Sequence, residues 1–232
     1  MQNLVCAIFA RGGSKGLPGK NLLTIKNQSL LEIAISHAKQ AAGVTQVFVS
    51  TDSEHIATAA RSAGAKVPFT RPQELATDDS PEWDSWKHLL EVVVPHDELS
   101  NTFLLTVPTT APLRTVADIN GCVGLLKENQ NLDGSICVTQ SRIHPDFNLL
   151  RRDEDQTFKI FAEARRGNLP HRRQDADVAW EIVPSAYCMR ADFVMNSHSM
   201  WEGNLGGYEV PLERSLDIDS EFDLLVAQAL FL

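Results

Sequence analysis

Residues 4–42 read LVCAIFARGGSKGLPGKNLLTIKNQSLLEIAISHAKQAA, and the order of their parts decides the fold. Residues 4–9 (LVCAIF) are a continuous apolar run, as expected of a strand buried on both faces. The loop ARGGSKGLPGKN follows at 10–21. A helix is expected over 29–42, where Leu30, Leu31, Ala34, Ile35 and Ala38 recur at helical spacing. Working outward, 46–50 (QVFVS) reads as a second strand and 53–63 as a second helix with Ser53 at its N-cap. Gly64 ends that helix, and 66–69 reads as a third strand. Helix 82–94, strand 102–107, helix 116–128 and strand 134–139 continue the alternation. Such a βαβαβ pattern implies parallel strands with right-handed crossovers. The expected fold is an α/β three-layer sandwich around a mostly parallel, Rossmann-like sheet, with ligands at the C-terminal ends of the strands.

From about 140 to 179 the alternation fails. The stretch is polar, with arginine pairs at 151–152, 165–166 and 172–173, and reads as an insertion or small subdomain. Regular structure resumes at 180–189, and a last helix starts near Glu221 with Ser220 as its cap. The expected organisation is one domain over 1–232, with the insertion at about 140–180.

A formal charge of -9 with no basic stripe argues against a general nucleic-acid binder. It leaves room for a local positive pocket, which the first twenty residues supply. Cys6, Cys122, Cys137 and Cys188 make no CxxC pair, and no histidine cluster completes a zinc site, so they read as buried thiols. There is no signal-peptide pattern, and no apolar run approaches the ~20 residues that span a bilayer. A cytoplasmic protein without membrane partners is expected.

The loop at 10–21 carries the strongest chemical signal. Gly12, Gly13, Gly16 and Gly19 let the backbone turn tightly and bring N–H groups to an anion. Arg11, Lys15 and Lys20 add the cations that phosphoryl or nucleotidyl transfer needs as negative charge builds. A solvated basic loop is the alternative. A P-loop is excluded because Gly19-Lys20 is followed by Asn21, without the hydroxyl that binds magnesium, and the spacing of a dinucleotide fingerprint is absent.

Ala10-Arg11, Ser14-Lys15-Gly16-Leu17-Pro18 and Lys20-Asn21 resemble the signature of the CMP-sialic acid synthetases, or acylneuraminate cytidylyltransferases. The resemblance runs on in order. Ser50-Thr51-Asp52 matches the family's VSTD, and Arg71-Pro72 with Glu74-Leu75-Ala76 and Asp78 matches RPxELAxD. Pro112-Leu113-Arg114 matches the end of QPTSPLR, and Asp217-Ile218-Asp219 matches DIDxxxD. It implies the nucleotide-diphospho-sugar transferase form of the sandwich, and CTP and an acidic sugar as substrates. By the same resemblance, Arg11, Ser14, Lys15, Lys20 and Asn21 would hold the triphosphate, with Ala10 also binding the nucleotide. Arg71 would contact the nucleotide, Ser80 would border the cytosine, and Asp217 and Asp219 would bind Mg²⁺. Two carboxylates one residue apart on an extended segment can indeed converge on a hard cation, although a helix-capping turn is the plain alternative. The family is dimeric, so a homodimer is implied, with the insertion reaching into the partner's site.

Departures gather on the sugar side. Pro108 replaces the family's glutamine in VPTTAPLR, leaving Thr109 and Thr110 beside it, and Glu181 and Val183 replace an arginine and an asparagine in a segment that keeps Tyr187. Arg173 remains a candidate for the substrate carboxylate, where a guanidinium fork fits well. Ser80-Pro81-Glu82 stands where small and hydroxylated residues are usual. A legionaminic- or pseudaminic-type acid, or another 2-keto sugar acid, is therefore as plausible an acceptor as sialic acid. In the expected reaction the anomeric hydroxyl attacks the α-phosphorus of CTP and pyrophosphate leaves, with Arg11, Lys15 and Lys20 stabilising the charge. No histidine lies in a matched motif, and His144, His171 and His198 read as surface residues. The general base stays open, with Asp219 as the candidate. Two other readings are a DxD-type glycosyltransferase, which expects its motif in mid-chain, and a non-catalytic nucleotide-binding protein, which expects losses among the cations or carboxylates.

Overall fold

The protein is seen here as a computed structural model that describes residues 2–13, 16–164, 170 and 172–231. Strand β1 (Asn3–Phe9) leads through a small hairpin, β2 (Thr24–Ile25) and β3 (Gln28–Ser29), into helix α1 (Leu30–Gln40). Then come β4 (Val47–Ser50), α2 (Glu54–Ser62), α3 (Glu82–Val93), β5 (Thr102–Thr106), α4 (Val116–Glu128) and β6 (Gly134–Gln140). A second hairpin, β7 (Leu150–Arg152) and β8 (Phe158–Ile160), precedes the long strand β9 (Trp180–Arg190). Helix α5 (Ala191–Asn196), β10 (Leu205–Glu209) and α6 (Glu221–Leu230) complete the order.

The main sheet runs β10-β6-β9-β5-β1-β4. β1 pairs in parallel with β4 and β5, and β10 with β6, while β9 lies antiparallel between β5 and β6. Strand alternation builds the three layers. Cys6, Ile8, Phe103 and Leu105 face α1, α2 and α4, whereas Ala7 and Leu104 face Trp83, Trp86, Leu89 and Leu90 of α3 and Val194 of α5. A third cluster gathers Ile25, Leu30, Ile33, Ile218 and Ala227, so it ties α6 and the β2–β3 hairpin to the start of α1. The four cysteines are free and buried, as their apolar flanks predict. Among the described residues no helix is long and apolar enough to cross a membrane.

Local chemistry fixes the helix starts. Ser29 and Glu32 form a capping box at α1, Thr115 and Asp118 at α4, and Ser220 and Asp223 at α6. The Asp118 carboxylate also takes a forked pair of bonds from Arg214, at 2.9 and 2.8 Å, which holds the chain leading to α6 against α4.

Two expectations change. The third strand, expected at 66–69, survives only as isolated parallel bridges, Phe48 with Lys66 and Thr51 with Thr70. Pro68 lies between them and has no N–H to give a ladder. His144 is half-buried, not a free surface residue. Its Nε2 shares a hydrogen bond with the Asp177 carbonyl at 2.8 Å, joining two parts of the 140–180 stretch. His198 is exposed, as are Trp180 and Trp201, while His171 and the arginine pair at 165–166 lie outside the described residues.

Candidate active site

A cleft of about 580 Å³ opens where β1, β4 and β5 end. Its lining brings together Arg11, Lys20, Asn21, Arg71, Ser80, Pro108, Thr109, Thr110, Tyr187 and Asp219, all named from the sequence. Ala10 is buried at its base and does not line it; its N–H donates to the Ser50 carbonyl at 3.0 Å and extends the sheet pairing. Ser14 and Lys15 lie outside the described residues. Arg173 opens a short 3-10 turn, is exposed, and does not line the cleft of its own chain.

Each wall is fixed by residues distant in sequence. Asn21 is buried and donates from Nδ2 to the Arg11 carbonyl at 3.0 Å, while its Oδ1 accepts from Thr109 Oγ1 at 2.6 Å. One amide thus clamps the glycine-rich loop to the end of β5. The Gly12 N–H donates to Asp52 Oδ1 at 2.8 Å, which anchors the loop to the end of β4. Arg71 is buried; its Nε donates to Ser50 Oγ at 3.0 Å and its Nη2 to the Ser50 carbonyl at 2.5 Å. Burial lowers the Arg71 pKa, and Asp52 and Glu82 work against that shift.

The DID segment forms the facing wall. Ile218 is fully buried in the third cluster and its N–H donates to the Thr110 carbonyl at 2.9 Å, so the aspartates on either side turn away from that core. Lys20 Nζ donates to the Ile218 carbonyl at 2.9 Å and to Asp219 Oδ1 at 3.0 Å. A Cβ on Gly16 would stand 2.7 Å from the Asp219 carbonyl oxygen, so only glycine lets the loop lie this close. Asp217 does not line the cleft. Burial raises its pKa, the charge on Asp219 adds to the rise, and a hydrogen bond with Thr110 opposes it.

Both described cations of the loop already have carboxylate partners. Arg11 Nη1 pairs with Asp78 at 2.9 Å and donates to the Thr77 carbonyl at 3.0 Å, while Lys20 pairs with Asp219. An incoming anion therefore exchanges one negative partner for another, with little change in the local charge balance before it arrives.

Three residues acquire importance only in the structure. Asp78 was read as part of a motif without a role, yet it sits on Arg11. Glu82 lines the cleft beside Tyr187, and its charge, after burial, raises the Tyr187 phenol. Arg114 is almost wholly buried behind β9; Nη1 donates to the Ser185 carbonyl at 3.1 Å, and Nε and Nη2 find no partner among the described residues. Burial lowers its pKa to about 10. Its place in the PLR motif was the only signal, and a motif does not reveal burial.

Comparison with known proteins agrees with this fold. A family model described as Cytidylyltransferase matches residues 5–175. CMP-N,N'-diacetyllegionaminic acid synthase of Legionella pneumophila is 36% identical, over 98% of this chain and 95% of that protein. Post-translational flagellin modification protein B of Campylobacter coli is 30% identical over 99% of this chain and 95% of its own length. A solved CMP:2-keto-3-deoxy-manno-octonic acid synthetase, complexed with CTP, shares the fold with a TM-score of 0.72, at 21% identity and 98% coverage of both chains. With this fold, and with a lysine of the glycine-rich loop set against an acidic C-terminal segment, the chain belongs to the cytidylyltransferase family.

Proposed function

We propose that the protein transfers CMP from CTP to the anomeric hydroxyl of an acidic 2-keto sugar and releases pyrophosphate. The observation that carries this is the convergence of Arg11, Lys20 and Asn21 with Asp219 on one cleft. In the reaction the anomeric oxygen forms a bond to the α-phosphorus, the bond from that phosphorus to the bridging oxygen of the β-phosphate breaks, and the hydroxyl proton passes to a general base, for which Asp219 in the cleft lining is the candidate. Lys20 and Arg11 meet the charge on the triphosphate and on the departing pyrophosphate. Ser14 and Lys15 join them in the same role. Asn21 holds the loop, and with it both cations, at a fixed distance from Thr109. Arg71 and Ser80 serve the nucleotide, and Pro108, Thr109, Thr110 and Tyr187 the sugar acid.

Mg²⁺ fits Asp217 and Asp219. Among the described residues no three His, Cys, Asp or Glu side chains gather into a cage, and two carboxylates suit an ion that keeps waters and shares substrate phosphates. Burial raises the Asp217 pKa and repulsion from Asp219 adds to the rise; a divalent cation would relieve that repulsion. When bound there, the ion supplies positive charge to the reacting phosphate.

The acceptor class is a nonulosonic acid of the sialic, legionaminic or pseudaminic type. Support comes from relatives named for legionaminic and pseudaminic acids, and from Pro108 in place of an amide side chain. The deciding experiment is pyrophosphate release with CTP and Mg²⁺ across a panel of such acids. Release with one or more of them is expected, and silence across the panel with CTP still bound would point to a binding-only role.

The active form is a homodimer. Leu150 and Phe158 on the β7–β8 hairpin and Phe161 beyond it are exposed in the single chain, which favours a covering partner. Arg173, absent from its own cleft, would then serve the partner's. Light scattering should give twice the chain mass; a monomer at assay concentration would sink the dimer.

A further inference from the structure

We infer that Glu82 is the residue that selects cytosine over uracil, an inference that rests on the cytidylyl-transfer reading above. The phosphate groups belong at the end of the cleft that holds Lys20, Arg11 and Gly16. Beside Arg71, whose guanidinium lies 5.8 Å from the Phe9 ring centre, Phe9 and Leu75 give the cleft aromatic and apolar walls, which suit a flat base. Two charged groups interrupt those walls. Arg71 spends Nε and Nη2 on Ser50, so Nη1 has no protein partner among the described residues. Glu82 makes no ion pair within that same set, although Arg71 is near enough to act on its charge.

The backbone that carries Glu82 is fixed. The residue stands at the first position of α3, and the next turns are locked by the buried Trp83 and Trp86, with Trp83 Nε1 donating to the Ser197 carbonyl at 3.0 Å. The carboxyl opens to solvent through the cleft, yet protein crowds it elsewhere, and burial pushes its pKa up. The Trp86 indole N–H lies close enough to the carboxylate to favour its charged form. A carboxylate has about four lone-pair sites, so Glu82 keeps acceptor capacity turned to the cleft it lines.

Cytosine and uracil differ where such an acceptor acts. Cytosine carries an amino group on C4 and an acceptor at O2, and uracil carries oxygen at both positions. An ionised carboxylate only accepts, so it receives the cytosine amino hydrogens and opposes lone pair to lone pair with uracil O4. Arg71 Nη1, which only donates, complements O2 of either base. The pair therefore reads one edge, with Glu82 supplying the discrimination. A glutamine at the same place both donates and accepts, and would admit either base.

The test compares CTP with UTP on the wild type, Glu82→Gln and Glu82→Asp, by direct calorimetric binding and by pyrophosphate release with the acid that serves the wild type. Glu82→Gln should lower the CTP-over-UTP ratio by roughly 10-fold or more in binding as well as in turnover, with KM for the acid unchanged. Glu82→Asp, still acceptor-only, should bind CTP less well but keep it ahead of UTP. A ratio untouched in Glu82→Gln, or a change confined to KM for the acid, overturns the role of Glu82 and leaves the cytidylyl-transfer reading standing. A wild type that binds neither nucleotide sinks both.

Discussion

Replacing Lys20 by alanine should cut the rate of pyrophosphate release by 10²-fold or more, about 2.7 kcal/mol of transition-state stabilisation. The reason is position as much as charge. The Lys20 side chain is 17% exposed, and Nζ is held by the Ile218 carbonyl and Asp219, so the ammonium is in place before substrate arrives. A preorganised charge costs no reorganisation during the reaction, and water admitted by the truncation cannot replace it. Arginine should restore little, because a planar fork on a longer stem does not reproduce a compact ammonium with these two partners. Single-turnover kinetics would locate the loss in the chemical step, and circular dichroism would verify the fold. Activity within a few-fold of wild type would remove Lys20 from the catalytic set.

Asp219→Asn should be comparably severe, with a loss on the order of 10²-fold and a higher Mg²⁺ concentration for half-maximal rate. The amide keeps the shape of the carboxylate and can still accept from Lys20 Nζ, so the loop should remain docked while one negative charge disappears. The Asp219 side chain is 75% exposed and the pair it forms is partly solvated, so stability should change by less than about 1 kcal/mol. Thermal unfolding near wild type together with the kinetic loss would assign the effect to the site. An unaltered magnesium titration would mean that Asp219 acts only as the counterion of Lys20.

The sequence reveals the sandwich where patterns are local. The apolar run of β1, the helical stripe of α1 and the caps at Ser53 and Ser220 are all legible because each depends on neighbours in the chain. Strand direction is not local. β9 alternates like any half-buried strand, and nothing in its residues states that it runs against β5 and β6. β10 (LGGYE) was missed because two glycines hide its alternation; they are there because Gly206 abuts Leu132 and Leu125, and Gly207 abuts Val138. Motif matching located most of the cleft lining, yet it could not show that Arg173 lies outside its own cleft or that Lys20 leans on Asp219. Such facts depend on pairs separated by much of the chain.

The Lys20–Asp219 contact joins positions 199 apart in sequence. On the ribosome, the lysine emerges long before its carboxylate exists. A partly synthesised chain can thus possess the glycine loop and β1, yet lack the wall that orients the ammonium. Nucleotide affinity should consequently arise late in biosynthesis, only after the DID segment has been laid across the end of β5.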